Sequence, residues 1–130
     1  MQHIEKFNKN TQIEVVGAWL KARNEYIPPE HEYPEIGYMI FERGEPVACA
    51  FIRKVEGNFA QFDTLVTNPD FPGDIRHSAL DVLVAHVMRE AKSLGFKTIS
   101  AYSLDLNTVL RSSKHGFKVM PHALIVADLN

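Results

Sequence analysis

Residues 68–78 (Asn-Pro-Asp-Phe-Pro-Gly-Asp-Ile-Arg-His-Ser) join an apolar strand to a long amphipathic helix. The first turn of a helix leaves backbone N–H groups unpaired, and the helix dipole adds positive potential there, so such a junction suits an anion. Gly73, Arg76, His77 and Ser78 supply donors, whereas Asp74 brings a negative charge to the same place. The plainer reading is a helix capped by Asp74 with Arg76 as a surface charge. Just upstream, Phe59–Thr67 carries a carboxylate, Asp63, in a mostly apolar run. A strand's period of two puts Asp63 on the face of Gln61 and turns Phe62 and Thr64 the other way.

The elements that must hold these residues follow from periodicity and punctuation. Residues 2–7 read as a first strand. Thr11-Gln12-Ile13-Glu14 has the form of a capping box, which predicts a helix from there to about Asn24 with Ile13, Val16 and Leu20 on one face. Three prolines in 26–34 deny that stretch helix and sheet donors, so it reads as an exposed or groove-lining loop. Strands over 36–42 and 46–55 flank the hairpin signal Arg43-Gly44-Glu45, and Glu56-Gly57-Asn58 turns the chain into 59–67. A helix over 75–94 places Ile75, Ala79, Val82, Leu83, Val87, Ala91 and Leu94 on one side, with Gly95 as its stop. A strand over 96–103 follows that crossover and should run parallel to 59–67. A short helix over 106–114 and a last strand over 122–129 complete an α+β order, β-α-β-β-β-α-β-α-β, within one domain spanning 1–130.

A chain of 130 residues can bury a core without metals or disulfides. Its net charge of −2 argues against a nucleic-acid binder that works by neutralising phosphates. No segment reads as a signal peptide or a membrane span, so a cytoplasmic location is expected. Lone Cys49, inside Val47-Ala48-Cys49-Ala50-Phe51, reads as core filler.

Asn68-Pro69-Asp70-Phe71, the helix running from Ala79 through Ala91-Lys92-Ser93-Leu94-Gly95-Phe96, and Ser113-Lys114-His115-Gly116-Phe117 occur in an order and spacing that resemble the GNAT superfamily of acyl-CoA-dependent N-acyltransferases. The resemblance covers almost the whole chain, lacking the second N-terminal helix of longer members, and is similar to short, divergent GNAT-like proteins of tailed phages. It implies a mixed sheet with one parallel crossover and a splayed strand pair, and acetyl-CoA as co-substrate. It also implies cofactor contacts from Leu65, Val66 and Thr67 and from the backbone of Gly73, Asp74, Ile75, Arg76, His77, Ser78 and Ala79. The departures are specific. Pro72, Ile75 and His77 occupy positions where the family's loop has a polar residue and two glycines, and the glycines let amides approach a pyrophosphate without a Cβ in the way.

Acyl transfer to an amine needs a proton removed from the amine, a polarised thioester, aligned reactants and a reprotonated thiolate. The resemblance gives polarisation to a backbone N–H near Val66. Where one branch of the family has a basic Glu, this chain has Gln61, which leaves Asp63 as the candidate base; the alternative is an Asp63 that caps a loop or pairs with a Lys or Arg. The family's acidic Tyr maps to Ser112, a poor proton donor to a thiolate, and its Asn maps to Asp105, read as a helix cap. Tyr102 is nearby in sequence. Six histidines and one cysteine show no metal-ligand spacing, so no metal site is expected. Two functions remain: an N-acetyltransferase acting on a small-molecule or protein amine, with Glu30, Glu32 and Glu35 suited to a cationic acceptor, or a GNAT-like binding or assembly module that has lost transfer.

Overall fold

The computed structural model describes residues 1–103, 106–120 and 127. Among them, one sheet of five strands has the order β1-β2-β3-β4-β5. The strands are β1 (Gln2–Lys6), β2 (Ile36–Glu42), β3 (Glu45–Lys54), β4 (Phe59–Thr67) and β5 (Thr98–Ala101). The first four form an antiparallel meander, and β5 pairs with β4 in parallel. The helices are α1 (Lys9–Ala22), α2 (Gly73–Ser93) and α3 (Leu106–Ser113). The α+β class and the parallel crossover expected from the sequence are both present. The expected last strand, 122–129, and the Asp105 cap lie outside the described residues.

Each face of the sheet carries one helix and one apolar cluster. Ala48, Ala50, Ile52, Ala60 and Phe62 face α2, whose Ala79, Leu80, Leu83, Val84, Val87 and Ala91 are buried against them. Cys49, Phe51 and Val66 face α1 through Val16, Trp19 and Leu20. Burial pushes the Cys49 thiol well above its usual range, as expected of core filler. Gly37 makes room on the α1 face, because a Cβ there would meet the Phe51 ring at 2.6 Å.

Several sequence expectations are corrected. The α1 cap is Asn8, not Thr11: the Asn8 side chain accepts from the Asn10 amide, and Gln12 Oε1 accepts from the Asn8 amide at 2.7 Å. The capping-box spacing was therefore coincidental, and the helix starts one turn earlier. Val82 is exposed, whereas Leu80 and Val84 are buried. At about 100° per residue, Val82 lies well outside the stripe centred on residues 80–87. α2 begins at Gly73 after Pro72, with no side-chain cap, so Asp74 is a first-turn residue rather than the cap. The proline-rich loop is only partly exposed, because Tyr33 is buried against Phe7 and Phe51. The Arg43–Gly44 hairpin forms as expected, both residues having positive φ. No described helix is long and apolar enough to cross a membrane.

Candidate functional site

β4 divides into two halves. From Phe59 to Phe62 it has β3 on one side and β5 on the other, the last parallel pair being Phe62↔Ala101. Beyond Phe62 only β3 remains beside it, and the strands separate. The break coincides with a bulge: Phe51 pairs with Asp63 and Ala50 with Leu65, which leaves Thr64 extra. Thr64 has φ +45, a left-handed conformation unusual for a β-branched residue.

The bulge resets the alternation. Leu65 and Thr67 share the α2-facing side of the sheet with Phe62, while Val66 points to α1. It also sets which amides face the gap. The Asn68 N–H donates to the Val47 carbonyl at 2.7 Å, so in the antiparallel pattern Val66 is bonded toward β3. The N–H groups of Leu65 and Thr67 therefore point away from β3, into the gap. The resemblance maps polarisation to Val66 and its neighbours Leu65 and Thr67; in the bulged register the N–H groups of the two neighbours, and not that of Val66, face the gap.

The gap is a cleft of about 800 Å³. Thr64–Thr67 form one wall; Arg76, His77 and Leu80 of α2, Tyr102 and Ser103 after β5, and Asn107, Thr108, Arg111 and Ser112 of α3 form the others; Arg23 and Glu25, just after α1, close the rim. Of the residues anticipated from sequence, the structure brings together Leu65, Val66, Thr67, Arg76, His77 and Ser112. It does not bring the rest. Asp74, Ile75 and Ser78 line a separate shallow depression with Met1, Gln2 and Glu42. Gly73 opens α2 outside the cleft wall, and Ala79 is fully buried in the core. The helix ladder takes up the amides from His77 onward, and the Arg76 amide bonds the Pro72 carbonyl, so the unpaired first-turn donors are Gly73, Asp74 and Ile75.

Asp63 faces away from the cleft. Its carboxylate takes Arg53 Nε at 2.5 Å and the Thr64 hydroxyl at 2.9 Å, and Arg53 also donates to the Glu32 carbonyl at 2.9 Å. The ion-pair alternative is the arrangement present, and it buttresses the bulge. Ser112 lines the cleft, but its hydroxyl donates to the Val109 carbonyl at 2.6 Å. Glu30, Glu32 and Glu35 are not in the cleft wall; Glu32 instead accepts from the Tyr26 hydroxyl at 2.9 Å.

The charged residues of the lining are mostly cationic, Arg23, Arg76 and Arg111 against Glu25. Arg111 Nη2 donates to His77 Nδ1, which fixes that nitrogen as an acceptor, and Arg111 Nε lies 3.3 Å from Asp81 in an ion pair without a hydrogen bond. His115 Nε2 lies 3.5 Å from the same carboxylate, so Asp81 ties α3 to α2. The Arg76 side chain has no hydrogen-bond or ion-pair partner among the described residues. Arg23, Glu25 and Arg111 were not anticipated as site residues, and Tyr102 was noted only as nearby in sequence: they come from three separate segments, and only the splay collects them. Among the described residues, no group of three or more His, Cys, Asp or Glu side chains is placed to hold a metal ion.

No protein-family model matches the sequence, and no curated protein matches it. Solved structures do match. A probable acetyltransferase from meticillin-resistant Staphylococcus aureus superposes with a TM-score of 0.75 over 98% of this chain and 100% of its own, at 10% identity. The ribosomal-protein-S18-alanine N-acetyltransferase of Escherichia coli gives 0.73 over 91% of this chain and 78% of its own, at 16% identity. A GNAT-family acetyltransferase from Streptococcus pneumoniae gives 0.73 over the full length of both chains, at 14% identity. With its antiparallel meander, its parallel crossover and the strand pair that parts at Phe62, this chain has the GNAT acetyltransferase fold.

Proposed function

We propose that the chain, acting as one domain over 1–130, is a cytoplasmic acyl-CoA-dependent N-acetyltransferase that transfers acetyl directly to a primary amine, of a small molecule or of a protein. The observation that carries this reading is the free edge of β4 inside a cation-lined cleft, with the Leu65 and Thr67 N–H groups aimed into it. The fold shared with acetyltransferases supports it. The residues present fit acetyl-CoA: an unpaired strand edge suits an amide-bearing arm, and Arg76 offers a guanidinium to a phosphate.

Acetyl-CoA would supply an activated thioester. One of the Leu65 and Thr67 amides would donate to its carbonyl oxygen as negative charge develops there, the role in which fixed donors contribute most, and the other, about 7 Å along the strand, would bond the amide-bearing arm. Arg76, and beyond it the first-turn amides of α2, would hold the anionic end. With Asp63 bound by Arg53 and Ser112 by Val109, the cleft wall offers one phenol, Tyr102, as a proton donor to the departing thiolate. The amine would enter deprotonated from solution.

Titration with acetyl-CoA followed by thermal unfolding tests the reading. A ligand that binds only the native state adds about 2.7 kcal/mol at a hundredfold excess over Kd. Release of free thiol with a panel of primary amines should accompany the stabilisation. No stabilisation at millimolar acetyl-CoA would overturn the reading in favour of a binding or assembly module.

A further inference from the structure

The free half of β4 poses a mechanical problem. A strand end with a neighbour on one side only is prone to fray, yet the proposed donors Leu65 and Thr67 must keep their aim. Thr67 is also the one polar residue in the buried set among the described residues. Its hydrogen bonds do not come from the sheet. Arg23, 44 positions earlier in the chain, donates through Nε to the Thr67 carbonyl at 3.3 Å and through Nη2 to the Thr67 hydroxyl.

Arg23 is itself held. The Asn24 amide bonds the Lys21 carbonyl, the Glu25 amide bonds the Leu20 carbonyl, and Asn24 has φ +55. That pairing is a Schellman end, which stops α1 at a fixed residue and fixes the direction of the chain that leaves it. α1 is anchored in turn by buried Val16, Trp19 and Leu20. A rigid helix end therefore presents a planar fork to the last residue of a strand that no other strand secures on that side.

We infer that Arg23 is a positioning residue: by holding the carbonyl and hydroxyl of Thr67 it fixes the free end of β4 and keeps the Leu65 and Thr67 amides aimed into the cleft. The inference rests on the transferase reading for its catalytic consequence, but the clamp can be tested apart from it. Arg23→Ala should leave the β3–β4 amides before the bulge protected and cost Val66 and Asn68, both bonded toward β3, at least tenfold in hydrogen-exchange protection. In thiol-release assays the same variant should lose about 10²-fold in kcat, the scale on which a misplaced donor acts, with KM for acetyl-CoA changed less than threefold. Arg23→Lys, which keeps charge and one donor but not the fork, should recover part of the loss. Thr67→Val removes only the hydroxyl bond; its effect should be smaller, and it should not add to that of Arg23→Ala, because the two side chains act through one contact.

Unchanged protection at Val66 and Asn68 in both Arg23 variants would overturn the clamp. So would additive effects of Arg23→Ala and Thr67→Val, or a loss confined to KM. Should Arg23→Ala not fold, Arg23→Lys and Thr67→Val carry the same comparison. Absence of thiol release in the wild-type protein would count against the transferase reading, and the exchange result would still decide the clamp.

Discussion

One strand holds two kinds of environment. In β4 from Phe59 to Phe62, backbone groups are taken by strands on both sides, and Ala60 and Phe62 are buried under α2. From Asp63 to Thr67 the β5 side is open, a residue with positive φ interrupts the register, and the donors face a cleft. The first half is what a sheet becomes when every local preference agrees with the fold. The second violates pairing and backbone rules within five residues, and side chains from other elements repair it: Arg53, which pairs with Asp63 at the bulge, and Arg23 at the end. Strain and unpaired edges gathered at one place, with compensations around them, are the pattern expected of a site rather than of a scaffold.

The largest effect is expected in the core behind the bulge, where Phe51 sits opposite Asp63. Phe51, fully buried, packs edge-on to Phe7 with centroids 4.7 Å apart and faces Gly37 across the β2–β3 pair. Phe51→Ala should cost about 3–5 kcal/mol in urea unfolding, much of a domain's stability. On the open side the largest effect should be on binding alone. Arg76→Glu should weaken acetyl-CoA binding by about 1–3 kcal/mol in calorimetry with an unchanged melting temperature, because the side chain has no described partner to lose. Equal affinity in that variant would remove Arg76 from the site.

The paired side was the legible one. The strands over 36–42 and 46–55, the Arg43–Gly44 turn and the helix stop at Gly95 each followed a local rule that the tertiary structure did not override. The open side was legible only in outline. The strand-to-helix junction located half of the cleft, and Leu65, Val66 and Thr67 fell within it, but a period-two argument cannot foresee a bulge and so could not tell which of their amides face the gap. Asp63 showed the same limit: an acid in an apolar strand signals a partner, and nothing local told that the partner was Arg53. Arg23 and Arg111 were invisible because nothing in their own segments distinguishes them from surface residues, and Tyr102 was visible only as a phenol near the last helix in sequence.

The core under α2 should also respond to alkali. Burial, with the Glu90 carboxylate nearby, pushes the Tyr38 hydroxyl up to about 12. The folded state thus favours the neutral phenol more than the unfolded chain does. Its contribution to stability is complete below pH 10 and is lost as pH rises toward 12, at about 1 kcal/mol per pH unit before solvent screening. Tyr38→Phe should therefore flatten that part of the stability profile. At neutral pH it should change little, since the bond to Glu90 is long at 3.4 Å. A variant whose alkaline profile matches the wild type would place the loss elsewhere, with the Cys49 and Tyr33 groups, which burial also raises, next in line.

The smallest expected effect is the one that tells most about the bulge. Asp63→Asn keeps the shape of the side chain and one acceptor oxygen while removing the charge that Arg53 pairs with. The pair is partly exposed, with side chains 45% and 20% accessible, so its loss should cost only about 0.5–1 kcal/mol in urea unfolding. Activity measured as thiol release should fall less than tenfold, by an amount independent of pH, because Asp63 supports Thr64 rather than touching an amine. A general base would behave differently: its loss typically costs about 10²–10⁴-fold, and the deficit shrinks as rising pH delivers free amine. A hundredfold, pH-dependent loss in a folded Asp63→Asn would therefore move Asp63 from the bulge to the chemistry. It would also require the strand to turn that carboxylate toward the cleft during turnover, and so would blur the division between the two halves of β4. A small, flat deficit would keep the division sharp and leave backbone donors, proximity and Tyr102 as the machinery.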